Sequence, residues 1–498
     1  MQRMAQDIRE LMRASQPRDI ESRLKSLISR AATRGVDYAD VRFGVTGQED
    51  YRVRDGSPDR IETGTTAGFG VRVLCGGYWG FASRPGFEEK DMGAALEEAV
   101  SLAKAARLAA GTPLRPLPRP PQKGAYRTPV QVHPGSIPAE KKLALLLEAD
   151  GLMAQVAQVK SRRSELQFFY QDKWFASTEG SFVEQSIVES GGGILALAVG
   201  GGDAQMRAYP EFMGDETQAG WEFVERLDFV GNARRVAEEA AALLDAPQCP
   251  SGEFDVIISG SQLALQVHES CGHPSELDRV LGVEADVAGT SFLTLDGLGS
   301  RKYGSPAVTL TADATLPGGL GSFGWDDEGT PAKRTVLVDK GIHAGYLTSR
   351  QYVPRAGDQS GGNARCSGWS KPPIVRMTNI NLLPGTAPLE DIIADTKYGF
   401  YFDGQKTWSI DDRRLNFAMG CQAAWEIVDG KMGRLLKNPS YGGITPVIWG
   451  SCDAVAGPAS WRIWGLTGCG KGAPMQNLHV GHGTSPARFV RLKVGVKK

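Results

Sequence analysis

Hydrophobic and polar positions alternate along this chain in two periods, and each switch between them marks an element. The segment "IESRLKSLISRAATRG", residues 20–35, predicts a helix. It leads into "YADVRFGV" and "EDYRVRDG". In "GFGVRVLCGGYWGFAS", Val71 and Val73 alternate with Arg72 and Leu74 around a turn at Gly76-Gly77. That is the period of antiparallel strands. "EEKDMGAALEEAVSLAKAARLA" then sets small and apolar residues on one side and Glu/Lys on the other, a closing helix. A first α+β unit therefore spans 1–110. "GTPLRPLPRPPQKG" carries five prolines in fourteen residues and suits neither a helix nor a central strand, so 111–136 is a Pro-rich linker.

The order repeats in a middle α+β unit, 137–246. "IPAEKKLALLLEADGLMAQV" predicts a helix, "ELQFFYQDKWFASTEGSFVEQSIVES" two strands joined at Thr-Glu-Gly, and "RLDFVGNARRVAEEAAALLDA" a closing helix. Helix, hairpins, helix in both units hints at duplication. Residues 247–498 are strand-rich. The fold class expected is α+β, with sandwich-like N-terminal domains built on antiparallel hairpins and a strand-rich C-terminal domain.

Composition narrows the function. Fifty-six basic residues balance 57 acidic ones, so no global field recruits nucleic acid or an anionic membrane. No window approaches 18 unbroken apolar residues, and the N-terminus lacks the apolar core of a signal peptide. The expectation is a cytoplasmic protein. Sixty-two glycines, clustered as "SGGGILALAVGGGD" and "LPGGLGSFG", fit many turns and bulges. The seven cysteines are scattered, with no C-x-x-C pair, as in reduced thiols of which one is available to a metal.

The chemistry concentrates at "LALQVHESCGHPSEL", residues 263–277. "FDVIIS" precedes it with strand composition, and Ser259 or Ser261 is placed to cap a helix bearing Leu263, Ala264, Val267 and Cys271 on one face. His268 and His273 stand five apart, about 140° around a regular α-helix, so such a helix cannot present both to one ion. Two devices bring them together: a left-handed Gly272 ending the helix before Pro274, or a one-residue bulge of π type. Glu269 follows the first histidine, where a carboxylate can take a proton from a metal-activated water. The bland alternative is a histidine pair favouring the negative end of a helix. A third ligand candidate, Cys469, sits among glycines in "GLTGCGKGAPMQNLHVGHGTSP", which also holds His479 and His482. Four of the six histidines thus fall in two short segments, although a lone cysteine is commonly a small core residue.

These segments, with "FGWDDEGTPAKRTVLVDKGIHAGYLTSR", "GNARCSG", "VRMTNINLLPGT", "GCGKG" and the N-terminal "DVRF", "RDG" and "GFGVRVLCGGYWGFA", resemble the TldD/PmbA family of metallopeptidases over about 36–495, in family order. The H-E-x-x-x-H pattern resembles the catalytic, TldD-type member. The resemblance implies His268, His273 and Cys469 as ligands of one zinc ion, Glu269 as the base, peptide or unfolded-protein substrates, and a dimer, either of this chain with itself or with a motif-lacking paralogue. The ligand set suits zinc and leaves iron open. His479 and His482 depart from the pattern and are candidates to support the ligands. Arg376 and Asn379 are candidates to hold substrate, with a buried Arg376 paired to Asp326 or Asp327 as the alternative. The carboxylates of "WDDEG" read as a turn before a strand rather than a Ca²⁺ or Mg²⁺ site. Two other functions compete: a cysteine hydrolase using Cys271 or Cys469, and a non-catalytic partner subunit, against which Glu269 argues.

Overall fold

The computed structural model describes residues 7–109, 111–212, 214–287, 289–355 and 361–495. The two N-terminal units form one sheet rather than two. Strands Tyr78–Pro85, Ser57–Cys75, Tyr38–Arg54, Val159–Ser177 and Phe182–Gly200 lie side by side in that order, and Asp203–Tyr209 continues beyond the last. The seam is the antiparallel pairing of each unit's first strand, from Asp40 opposite Ser177 to Arg54 opposite Arg163. Helix, three strands and helix recur on either side of that seam, as the repeated sequence order suggested. The proline stretch has no helix or strand before Lys123–Arg127, which adds to the rim of the sheet parallel to Phe182–Gly200. That is where proline-flanked backbone belongs.

Period-two alternation divides the sheet's faces. Val41, Phe43 and Val45 are buried in a core with helix residues such as Leu24, Leu96, Leu146 and Val236. Asp40, Arg42 and Arg72 point the opposite way, toward the C-terminal domain. There Arg72 bridges Asp40 at 2.6 Å and Glu328 at 2.9 Å, and Lys173 meets Asp327 at 3.1 Å. The "WDDEG" segment is thus the predicted turn, closed by Asp326 N–H donating to the Thr330 carbonyl, and its remaining acids dock the two domains.

In the C-terminal domain, strands Tyr398–Ile410, Gly252–Ile258, Ala487–Val494, Ser440–Ile444 and Asn416–Val428 follow one another, and the first also pairs with the last. Five strands therefore close into a barrel filled by Val256, Ile258, Phe400, Phe402, Met419 and Phe489. The helix Gly260–Val267 packs between this barrel and a separate hairpin, Arg462–Lys471 with Gln476–Thr484. That sandwich brings the two histidine-bearing segments together.

Candidate metal centre

The helix begins where Ser259, not Ser261, accepts a bond from the Gln262 N–H. It stays α-helical to Val267 and then widens into a π turn over His268–Gly272. The His273 N–H donates to the His268 carbonyl, five residues back. Gly272 keeps right-handed angles, φ −58° and ψ −64°, so the bulge is the device used and the left-handed glycine is not. Adding a side chain at Gly272 would strike Met377 Sδ, 2.2 Å from the Cβ position, so here glycine is required for space rather than for φ. With the extra residue absorbed, the two imidazoles lie edge to face, centroids 4.8 Å apart.

Cys469 arrives from the hairpin. One donor atom each from His268, His273 and Cys469 lies within 4.8 Å of the others, and Cys469 Sγ is 3.9 Å from His273 Nε2. Tetrahedral zinc with two nitrogen ligands and one sulfur at its usual bond lengths sets such atoms roughly 3.3–3.6 Å apart, so the trio fits once its widest pair closes by about 1.2–1.5 Å. Burial drives the His268 pKa down to about 4 and that of His273 well below its ordinary value. Burial also raises the Cys469 thiol, but the adjacent His273 and then Arg376 outweigh it and the net shift is downward. Neutral imidazoles and a thiol disposed to ionise are the forms that bind a metal.

A second layer orients these groups. His273 Nδ1 lies 3.0 Å from Glu276 Oε2, and the same carboxylate is 3.5 Å from Lys471 Nζ. Lys471 Nζ is also held by Asp278 and the Val375 carbonyl, each at 2.7 Å. His268 Nδ1 lies 2.9 Å from His482 Nε2. Each imidazole's Nδ1 is thereby engaged, which leaves its Nε2 for a metal. Arg376 donates to the carbonyls of Gln476 and Cys469 and pins the cysteine's backbone.

Glu269 is 7% exposed, and its Oε2 accepts a 2.7 Å charged bond from Arg414. Arg414 sits at φ 59° in the turn between two barrel strands. Nothing local in the sequence announced it, because its partner is 145 positions away. Glu276, three residues after His273, carried a readable signal: an acid one turn on is placed to reach the ring.

Not every candidate converges here. Cys469 pairs with Leu478 across the hairpin, and Leu478 shares its face with His482 by alternation, whereas His479 points away. His479 bonds Glu189 at 2.5 Å on the N-terminal sheet, so it joins domains rather than supporting the ligands. The substrate-holding reading of Arg376 and Asn379 gives way: both are 0% exposed. Neither the Arg376 bonds nor those of Asn379 leave the protein. The Asn379 amide donates to the Asp313 carbonyl and Ser322 Oγ and accepts from Gly321 N–H. Arg376 meets main-chain carbonyls rather than Asp326 or Asp327. Cys271 lies in the core, its thiol pushed up to about 12 by burial, a poor nucleophile. Among the described residues, the trio is the one set of three His, Cys or acid side chains placed to hold an ion.

Comparison with known proteins extends this picture. Profiles of PmbA/TldA metallopeptidase domain 1, central domain and C-terminal domain match residues 39–106, 132–244 and 251–494. A metalloprotease of Methanothermobacter thermautotrophicus is 30% identical over 466 residues, covering 92% of this chain and 96% of that one. A zinc metalloprotease TldD homolog of Saccharolobus solfataricus is 23% identical, over 49% of this chain and 52% of its own. The crystal structure of TldE from Thermococcus kodakarensis has the same fold, with TM-score 0.71 at 17% identity over 95% of this chain and all of that one.

Proposed function

The chain belongs to the PmbA/TldD metallopeptidase family, and on that premise we propose that it hydrolyses peptide bonds at a single zinc held by His268, His273 and Cys469, with Glu269 as general base. The observation that carries this reading is the π turn, which converts a five-residue spacing into two convergent imidazoles beside a thiol. Bound there, zinc would supply Lewis acidity toward the scissile carbonyl and acidify a neighbouring water. Three protein ligands leave a fourth position open, as catalytic sites require. Arg414 anchors Glu269 Oε2, which leaves Oε1 to take the proton of the attacking water and pass it to the departing amine. A centre whose four principal residues are each under 8% exposed favours a threaded chain over a folded surface, so the substrates proposed are peptides or unfolded polypeptides. A dimer, with a second copy or a motif-lacking paralogue, belongs to the same proposal, and light scattering with and without such a paralogue tests it.

The decisive experiment compares wild type with Glu269→Ala for metal content and for cleavage of an unfolded protein. The expected result is about one zinc per chain in both proteins and a loss of cleavage of roughly 10²–10⁴-fold in the variant, the range for removing a general base. A wild type free of metal, with the variant equally active, would overturn the proposal in favour of a cysteine hydrolase at Cys469 or a binding subunit.

A further inference from the structure

Beside His482 lies a small cavity of about 20 Å³. Its walls come from four places: Ser261, Ala264 and Leu265 of the motif helix, Trp464 and His482 of the C-terminal hairpin, Gln405 of a barrel strand, and Glu211 of the central domain. Three buried polar atoms on these residues have no hydrogen-bond partner: Glu211 Oε2, Trp464 Nε1 and His482 Nδ1. The Ser261 hydroxyl near Glu211 and the Ile380 carbonyl near His482 do not meet bonding geometry with them. Buried polar atoms are nearly always paired, with protein or with ordered water.

The inventory of donors and acceptors says what fills it. If His268 offers Nε2 to a metal, its Nδ1 carries the proton and donates to His482 Nε2, so His482 must carry its own proton on Nδ1. His482 Nδ1–H and Trp464 Nε1–H are then two unpartnered donors on residues that line the void, and Glu211 Oε2, with the carboxyl ionised, is one acceptor. A water accepts from both donors and gives a proton to the carboxylate, and about 20 Å³ holds one such molecule. An apolar group would satisfy none of the three.

We propose that one structural water occupies this cavity and completes a Glu211–water–His482–His268 chain, through which the central domain fixes the tautomer and orientation of a ligand in the C-terminal domain. Glu211, Trp464 and His482 are positioning residues in this scheme and touch no substrate. Glu211 Oε1 is already spent on the Phe212 and Gln405 N–H groups, so the carboxylate is rigidly aimed. The inference rests on His268 being a ligand, and the test separates the two ideas.

The experiment measures zinc affinity by chelator competition, with ¹⁵N imidazole shifts of zinc-free protein and a high-resolution crystal structure, on wild type, Glu211→Gln, Glu211→Leu, Trp464→Phe and His482→Phe. The expected result is a density peak in the wild-type cavity, His268 protonated on Nδ1, zinc affinity about 10–100-fold lower in His482→Phe, the usual cost of losing an outer partner, and a smaller loss in Glu211→Leu. Glu211→Gln, which keeps an acceptor, should restore most of it. Trp464→Phe removes one N–H and keeps an aromatic ring, so it remains informative where Glu211→Leu fails to fold; it should weaken zinc several-fold. Undiminished affinity in all the variants, or an empty cavity, overturns the chain. Wild type without zinc affinity overturns the metal site instead, and the density and the His268 tautomer then decide the relay by themselves.

Discussion

Two buried polar clusters, one in each half of the molecule, show why one is architecture and the other chemistry. In the N-terminal core, Lys142 is 0% exposed and donates to Glu49 at 2.9 Å, while Tyr51 and Tyr170 donate to the same carboxylate at 2.9 and 2.6 Å. The ammonium also lies over the Phe168 and Tyr51 rings, at 4.5 and 4.9 Å. One positive charge meets one negative, both tyrosine hydroxyls and the ammonium reach the carboxylate, and two ring faces cover the rest of the cation. At the motif the balance fails by design. The outer nitrogens of His268 and His273 are engaged, and what converges in the middle is two imidazole edges and a thiol with no protein cation among them. A cation placed among them would meet all three inward donor atoms at once. Burial alone does not distinguish the clusters; the count of donors against acceptors does.

The sharpest way to break this contrast is to remove one inward lone pair. Cys469→Ala should lose zinc by more than the ~10–100-fold that an outer-partner change costs and drop cleavage to background. The zinc-free protein should melt close to wild type, because the thiol has no structural partner beyond His273. Metal analysis beside calorimetry checks this, and retained stoichiometric zinc would mean that another residue completes the site. The matching change in the closed cluster acts oppositely. Lys142→Met leaves Glu49 charged and uncompensated, so it should destabilise by about 3–5 kcal/mol and leave zinc content unchanged. Adding Glu49→Gln should recover part of the loss, since replacing a buried pair costs less than halving it.

The contrast also marks what the sequence could disclose. Residue scarcity made the site legible: histidines are few, four fall in two segments, and an acid follows the first. The spacing even named the bulge as one of two geometric solutions, but choosing between them needed the backbone path through Gly272. Periodicity exposed the repeated helix–hairpin–helix order, yet not that strands of 17 and 19 residues would fuse the repeats into one sheet, because pairing partners lie more than a hundred positions apart. The same distance hid Arg414 and Glu211, whose roles depend on where two domains meet. His479 and His482 were inseparable by type. Their three-residue spacing in a strand sends them to opposite faces, and only the register opposite Cys469 says which face is which.

A smaller effect probes the motif cluster's neutrality without metal. Burial lowers the His268 pKa to about 4, against about 6.5 in an unfolded chain. As pH falls from about 6.5 toward 4, the unfolded state takes up a proton at this position that the folded state refuses, so protons favour unfolding. The contribution is intact above the unfolded pKa and declines on acidification, by at most about 1.4 kcal/mol per pH unit. Other groups titrate in this range: Glu211 and Asp326, both raised to about 7 by burial, act with the opposite sign. The readout is therefore a difference, the unfolding free energy of chelated wild type minus that of chelated His268→Gln, which has no imidazole to protonate. That difference should fall steadily between pH 6.5 and 4 and be flat from pH 7 to 8. A difference flat throughout would mean that His268 accepts a proton in the folded state, and the inward face of the cluster would then carry its own cation, as the Lys142 cluster does.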